Sequence, residues 1–370
     1  MKILVACGGT SGHINPALAI AGELRRRHPD AEFLFMGTPD KLEADLVPRA
    51  GYPFRAVSVT GLSRAKTFAG LKHNVSSVFR YLSARRIVAR TLKEFAPDVV
   101  LGTGGYVSAP VLSEAARRGY PTVIHEQNAF AGVTTKMLAP RVDRVLLSFP
   151  LAHPLNCDAT KCSITGNPVK AEFTELDRES ARRQLGLRDD EAYVLCYGGS
   201  LGATRVNEAF VEMARLAAPE KLIRFCHGAA RDYAKVREAL SGDEYALFDV
   251  KEYIYDMPLR MVAADVVVAR SGAMTLTEIA ALGKPSILIP SPNVTENHQY
   301  FNAKTYSDAG AAVLIEEKDL SGEMLYHTLR DLVFDQTRLN AMSRAARTLA
   351  HPQATAQIAD AVEQTAQLRK

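Results

Sequence analysis

"CGGTSGHINPA", residues 7–17, follows directly on the apolar run "KILVA" of residues 2–6. A strand that ends in a glycine turn and runs into a helix is the opening of a βαβ unit. Glycine there lets the backbone approach a ligand closely, and the unpaired N–H groups of the helix start point at anions. The dinucleotide fingerprint needs glycines at relative positions one, three and six. Here Gly8, Gly9 and Gly12 are separated by Thr10 and Ser11, so the spacing fails. The ribose acid fails too: where the second strand ends, the chain has Gly37 and Thr38, and Asp40 arrives late on a loop. The turn therefore argues for a Rossmann-like domain but against a nicotinamide enzyme.

Outward from this turn the chain alternates short apolar runs with helical stretches. "KILVAC", "EFLFMG", "DVVLG", "PTVIHE", "RVLLS" and "CSITG" read as strands of a parallel sheet covered on both faces. The pattern restarts with "AYVLCYGG", "LIRFCHG", "YALFDV", "DVVVAR", "PSILIPS" and "AAVLIE", separated by helical segments such as "RVNEAFVEMARLA" and "TLTEIAALG". Between the two sets "GNPVKAEF", residues 166–173, reads as a hinge. With 370 residues, 47% of them hydrophobic and 23% charged, the chain is long enough for two cores. The expected architecture is α/β: two doubly wound parallel-sheet domains facing across a cleft, residues 1–166 and 167–349. No apolar run approaches the ~18 residues of a membrane span, so a cytoplasmic protein is expected. The five cysteines, Cys7, Cys157, Cys162, Cys196 and Cys226, form no CxxC pair, and neither disulfides nor a zinc site is suggested.

The glycine turn is repeated in kind. "GGTSGH" (8–13), "GTGGYVSAP" (102–110) and "GGSLGAT" (198–204) each follow an expected strand, and "RSGAMTLTE" (270–278) ends a fourth and opens a helix. "GGSLG" also matches the nucleophile elbow of an α/β-hydrolase, with Ser200 as nucleophile and His227, His298, His327 and His351 following it in the chain. That reading leaves the other three glycine turns and the hinge without a role.

In their order, "GGTSGHINPALAIA", "EADLVP", "PDVVLGTGGYVSAPV", "HEQN", "GNPV", "GGSLGATRVN", "DVVVARSGAMTLTEIAALGKPSILIPSP" and "NHQYFNA" resemble the MurG glycosyltransferases over nearly the whole chain. The resemblance is weakest in residues 171–190 and in the tail. It implies a GT-B fold and a last helix, about 350–370, that packs back on the N-terminal domain. It also implies an inverting transfer of N-acetylglucosamine from UDP-N-acetylglucosamine to a lipid-linked N-acetylmuramyl-pentapeptide of peptidoglycan synthesis. The N-terminal domain would then bind acceptor and membrane, and the C-terminal domain the UDP-sugar. Two other readings of the same turns are a UDP-N-acetylglucosamine epimerase of related fold and a non-catalytic nucleotide-sugar binder.

A departing UDP needs its charge stabilised, and the helix beginning near Gly272 offers unpaired N–H groups and a dipole, with Arg270 just before it. The sequence has no Asp-x-Asp metal clamp, so neither a metal nor another cofactor is expected. By the resemblance, Glu278 partners the ribose hydroxyls and Ile254 and Met257 surround the uracil. His298 and Gln299 would lie near the sugar hydroxyls, and Ser200 and Asn207 at the third turn. Lys170, Asn128, Thr10, Ser11, Gly12, Ala273, Met274 and Thr275 complete the expected donor contacts. Lys170 stands where the family pattern has Arg and His298 where it has Gln. The acceptor and its pyrophosphate are expected at Gly9, Gly104, Gly105, Tyr106 and His125.

Two candidates remain for the base that takes the acceptor's proton: His13, an imidazole at the mouth of the first sheet, and Glu126 of "HEQN", with His125 and Asn128 as orienting groups. Residues 61–93 hold eight Lys and Arg and no Asp or Glu. Within them Phe68, Leu71, Val75 and Phe79 recur at helical spacing, framed by Lys72 and Arg80. Such a run is either a core-facing helix with a solvated basic back or a membrane-binding face. Since the resemblance implies a lipid-linked acceptor, an anionic membrane surface is the expected partner, at the cytoplasmic face and peripherally, with other cell-wall synthesis proteins also implied by the resemblance. No nucleic-acid-binding fold accompanies the charge.

Overall fold

The computed structural model describes residues 1–59, 83–151, 153–199, 202–294 and 297–369. They form two compact units, Met1–Lys170 with Gln353–Lys370, and Ala171–Pro352.

The first unit is built on strands β1 (Lys2–Ala6), β2 (Glu32–Gly37), β3 (Phe54–Ala56), β4 (Val99–Gly102), β5 (Thr122–Glu126), β6 (Arg144–Leu147) and β7 (Cys162–Ile164). They pair in the order β3-β2-β1-β4-β5-β6-β7, all parallel. β1 shows why the strands are apolar throughout. Ile3, Val5 and Cys7 pack on one face with Ile14, Leu18 and Leu24 of the helix Ser11–Arg27, while Leu4 and Ala6 pack on the other with Val88, Val111 and Leu138. Alternate side chains of one strand feed two cores, so there is no polar face. The helix Ala354–Ala366 adds Ile358, Ala359 and Val362 to the first of these cores. Arg27 pins it there, 2.5 Å from Asp360 and 3.3 Å from Glu363.

The second unit repeats the plan with β8 (Ala192–Tyr197), β9 (Ile223–Gly228), β10 (Phe248–Lys251), β11 (Val266–Ala269), β12 (Ser286–Leu288) and β13 (Ala312–Leu314), in the order β10-β9-β8-β11-β12-β13, again all parallel. In each sheet the chain winds outward from a central strand, then returns to its other side. The switch points lie between β1 and β4 and between β8 and β11, where loops diverge and leave a crevice at the carboxyl ends of the strands. All four glycine turns leave strands that flank these two points.

The twelve strands expected from apolar runs are present. The first sheet has a seventh, β3, whose "FRA" is three residues long and centred on Arg55, too short and too polar to read as an apolar run. It lies at the sheet edge.

Candidate active site

The first switch point assembles around His13. The turn after β1 leads into the helix Ser11–Arg27, which no side chain caps at its N-terminus. His13, in its first turn, extends its imidazole to the end of β4. Nδ1 lies 3.0 Å from the Thr103 carbonyl oxygen and 3.0 Å from Gln127 Oε1. A carbonyl oxygen only accepts, so Nδ1 carries a proton, and in the neutral ring the lone pair is on Nε2. No hydrogen bond reaches Nε2 from the described residues. The Thr103 hydroxyl donates to the His13 backbone oxygen at 2.7 Å, so one residue holds both ring and main chain.

The glycines make this packing feasible. A Cβ on Gly104, whose φ is +104°, would stand 2.5 Å from His13 Nδ1, and one on Gly105 (φ +79°) 2.2 Å from the Gly8 carbonyl oxygen. The second glycine turn thus gives room to the imidazole and to the first turn. Tyr106, beside them, is exposed.

Gly9 departs from its expected role. Its N–H donates to Glu43 Oε2 at 3.0 Å, and the other oxygen of this buried carboxylate accepts from Thr38 N (2.9 Å) and the Thr38 hydroxyl (2.6 Å). The Gly9 amide is thus engaged by a carboxylate, and the uncapped helix start at Ser11–Arg27 follows it. Glu43 opens "EADLVP" but is given no role there, since it lies at the start of a helix, six residues past the end of β2.

Glu126 and His125 are both buried at the end of β5. Glu126 Oε1 accepts from Asn128 N (3.1 Å) and Asn128 Nδ2 (3.2 Å), and Oε2 from Gly132 N (2.9 Å) and the Thr135 hydroxyl (2.6 Å). Both lone-pair-bearing oxygens are engaged in shaping the loop, which leaves His13 as the candidate base with an open nitrogen. His125 Nε2 lies 3.1 Å from the Gly166 carbonyl oxygen, and Nδ1 accepts from Gln127 Nε2 at 2.9 Å. Burial pushes His125 down to about 4. Its enclosed ring is an internal support, where a direct acceptor contact was expected. Asn167 ties the hinge to this cluster through Ser148 and the Gln127 carbonyl, and Val169 N donates to the Thr355 hydroxyl. Lys170 follows, half-buried.

In the second unit the helix Ala273–Leu282 starts at Gly272 directly after β11, with no side-chain cap and no acidic residue in its first turn. Its opening N–H groups lack helical partners, the arrangement an anion site requires. Ala273 and Met274 are buried and Thr275 half-buried. Glu278 is 7% exposed, and after burial itself its charge is the next cause that pushes the Tyr197 phenol up.

Arg270 stands differently from expectation. Its guanidinium donates to the Ile289 and Pro290 carbonyls and pairs with Glu317, so its charge is matched and its donors hold the loop after β12. Ser271 donates to the Gln299 carbonyl (2.7 Å), and Gln299 Oε1 accepts from Ser291 N (2.9 Å), so the turn and the start of the helix His298–Asp308 are one latched piece.

Asn207 is 2% exposed: Nδ2 donates to the Ala229 carbonyl and to Asp232, and Oδ1 accepts from His227 Nε2. Its amide is thus engaged on both sides by Ala229, Asp232 and His227. His227 is likewise interior, stacked 3.9 Å on Phe210 and pushed down to about 3 by burial, so it is no triad base. Ile254 is buried, its Cδ1 3.0 Å from where a Gly228 Cβ would stand, and Met257 is half-buried at a helix start. Ser200, Phe68, Leu71, Lys72, Val75, Phe79 and Arg80 lie outside the described residues.

His125 and His227 make stability pH-dependent. Both titrate lower when folded, about 4 and about 3, than the ordinary value of about 6.5. Below pH 6.5 the unfolded chain binds protons that the folded chain does not, so stability is full above pH 6.5 and falls as pH drops toward 4. Urea unfolding between pH 7 and 4.5 should show each unit losing stability with a slope of about one proton from its histidine. His227→Phe should remove that slope from the second unit alone.

Models of the glycosyltransferase family 28 N-terminal and C-terminal domains match residues 3–147 and 193–364. Proteins of Acetivibrio thermocellus and Bacillus subtilis, each named UDP-N-acetylglucosamine–N-acetylmuramyl-(pentapeptide) pyrophosphoryl-undecaprenol N-acetylglucosamine transferase, are both 40% identical to this chain. Each match covers 98% of the chain, and 98% and 99% of the respective relative. The crystal structure of Acinetobacter baumannii MurG superposes with a TM-score of 0.69 at 28% identity, over 98% of this chain and 99% of that one. A Neisseria meningitidis UDP-GlcNAc 2-epimerase bound to UDP-GlcNAc superposes at 0.64 with 12% identity over the full length of both chains, a likeness of fold alone. With both domain models matched in order and full-length relatives at 40% identity, the chain belongs to glycosyltransferase family 28, among the GT-B enzymes of the MurG type.

Proposed function

We propose that the protein transfers N-acetylglucosamine from UDP-N-acetylglucosamine to the 4-hydroxyl of undecaprenyl-pyrophosphoryl-N-acetylmuramyl-pentapeptide, the last cytoplasmic step in making the peptidoglycan precursor. The observation that carries the mechanism is the pair of unlike devices at the two switch points, a histidine with an open Nε2 in the first unit and an uncapped helix start in the second. His13 Nε2 takes the proton of the acceptor hydroxyl as its oxygen attacks the anomeric carbon. The bond from that carbon to the UDP oxygen breaks as the new one forms, and the N–H groups at Ala273, Met274 and Thr275 stabilise the charge that develops on the departing pyrophosphate. Glu278 accepts from the ribose hydroxyls and Ile254 and Met257 flank the base. Arg270 and Gln299 act by holding the latched loop around this helix. Ser200, Asn128, Lys170 and His298 complete the donor contacts, and Tyr106 with Gly104 and Gly105 borders the acceptor.

One in-line displacement on an α-linked sugar gives a β-linkage. Incubation with UDP-N-acetylglucosamine and the lipid-linked acceptor should therefore yield a β-linked disaccharide. An α-linked product contradicts this mechanism, and conversion of the donor without acceptor favours an epimerase. His13→Ala should lower kcat by about a hundred- to ten-thousandfold and keep UDP affinity, whereas Glu278→Ala should weaken UDP binding.

The acceptor's lipid brings the first unit to the cytoplasmic membrane face. No described helix is long and apolar enough to cross a membrane. Val133 and Met137 are exposed on one short helix beside the exposed Lys136, and the basic run of residues 61–93 lies in the same unit. Near anionic lipid each basic residue contributes about 1 kcal/mol. The purified protein should sediment with anionic vesicles and be released by high salt, and replacing Phe68, Leu71 and Phe79 with Ser should weaken this binding at unchanged UDP affinity. Equal sedimentation with neutral vesicles in high salt contradicts the electrostatic part of the reading.

A further inference from the structure

We propose that Gln127 is a positioning residue that fixes the orientation and tautomer of His13 through a polar chain running from the Gly166 carbonyl through His125. The inference rests on the reading that His13 takes the acceptor's proton.

The chain can be followed atom by atom from its fixed end. The Gly166 oxygen is a backbone carbonyl, so His125 Nε2, 3.1 Å away, carries a proton and His125 Nδ1 offers a lone pair. The Gln127 amide meets two acceptors on His125, Nδ1 at 2.9 Å and the backbone oxygen at 3.0 Å. Only its NH2 side satisfies both, so Oε1 is turned the other way, to His13 Nδ1 at 3.0 Å. Thr103 O approaches the same nitrogen at 3.0 Å. Two acceptors at Nδ1 disfavour the ring turned over about Cβ–Cγ, which would set the Cδ2 carbon where Nδ1 stands and leave both oxygens without a donor. Gln127 is 3% exposed and His125 fully buried, so breaking any link strands a polar group away from water. Burial keeps His125 neutral down to about pH 4, which preserves its Nδ1 as an acceptor throughout the working range.

The other ionisable groups on the elements around His13 are committed elsewhere or stand apart. Glu43 is bound by Gly9 and Thr38, Glu126 by Asn128, Gly132 and Thr135, and Tyr106 is exposed. Gln127 is thus the side chain through which the ring's second acceptor can be altered.

The test compares Gln127→Met, which keeps the bulk and removes the acceptor, with Gln127→Glu, which keeps an acceptor and adds charge. Both are read as pH profiles of kcat/KM with UDP-N-acetylglucosamine and the lipid-linked acceptor, alongside UDP affinity. An acceptor at Nδ1–H favours the imidazolium, and a carboxylate favours it more. The acidic limb should therefore move to lower pH in Gln127→Met and to higher pH in Gln127→Glu, with kcat of the Met variant down about ten- to a hundredfold and UDP affinity unchanged. A role in packing alone moves neither limb. Unshifted limbs in variants that retain UDP affinity overturn the proposal, as does wild-type kcat in Gln127→Met. If Gln127→Glu fails to fold, the Met variant's limb and kcat decide alone; if Met fails, the Glu limb decides. Should both fail, Gln127→Asn, too short to reach His13, must show the limb shift and kcat loss of the Met variant or the proposal falls. Wild-type turnover in His13→Ala would instead sink the base assignment on which this rests.

Discussion

The bond on which the first unit's chemistry depends is that between His13 Nδ1 and two oxygens, Thr103 O and Gln127 Oε1. It gathers the ends of β1, β4 and β5, and each participant is where it is because a strand delivers it there. The apolar strands set the register, Val5 against Leu101 and Val100 against Thr122, so that the three turns emerge side by side. The positive φ angles of Gly104 and Gly105 then let the turns close until ring and carbonyl touch. A fold stabilised by burial on both sheet faces thus ends in a polar assembly in which, among the described residues, no hydrogen bond claims His13 Nε2.

The second unit solves a different problem with the same topology. Its switch point presents an uncapped helix start, and the residues near it hold the surrounding backbone still: Arg270 grips the loop after β12, Ser271 holds Gln299, and Asn207 with His227 braces the third turn from below. Preorganised dipoles stabilise developing charge without having to move at the moment of reaction. The proposed division of labour, acceptor activation in one unit and leaving-group stabilisation in the other, follows from what each switch point carries.

Much of this was legible in the sequence because strand and glycine turn leave a local signature. The apolar runs mark the strands, and the glycine turns at Gly8–Gly12, Gly102–Gly105, Gly198–Gly202 and Gly272 mark where the strands of the two switch points end. What was not legible is where a polar side chain points once the chain has folded. Arg270 reads as a free cation beside a phosphate site until Glu317, 47 residues on, is seen against it. Asn207 reads as a ligand contact until His227, Ala229 and Asp232 are seen to saturate it. Gln127 stood between two candidates in "HEQN" and drew no attention, since an amide has no chemistry of its own and its value lies in which oxygen or nitrogen faces which neighbour.

The central claim, that His13 offers a bare Nε2 to the acceptor, has a direct spectroscopic reading. In protein labelled with 15N-histidine, long-range 1H–15N correlation distinguishes the protonated from the unprotonated ring nitrogen, and His13→Gln assigns the signal by its disappearance. The account predicts a neutral His13 with the proton on Nδ1 and an unprotonated Nε2. A proton on Nε2, with Nδ1 bare, would contradict it.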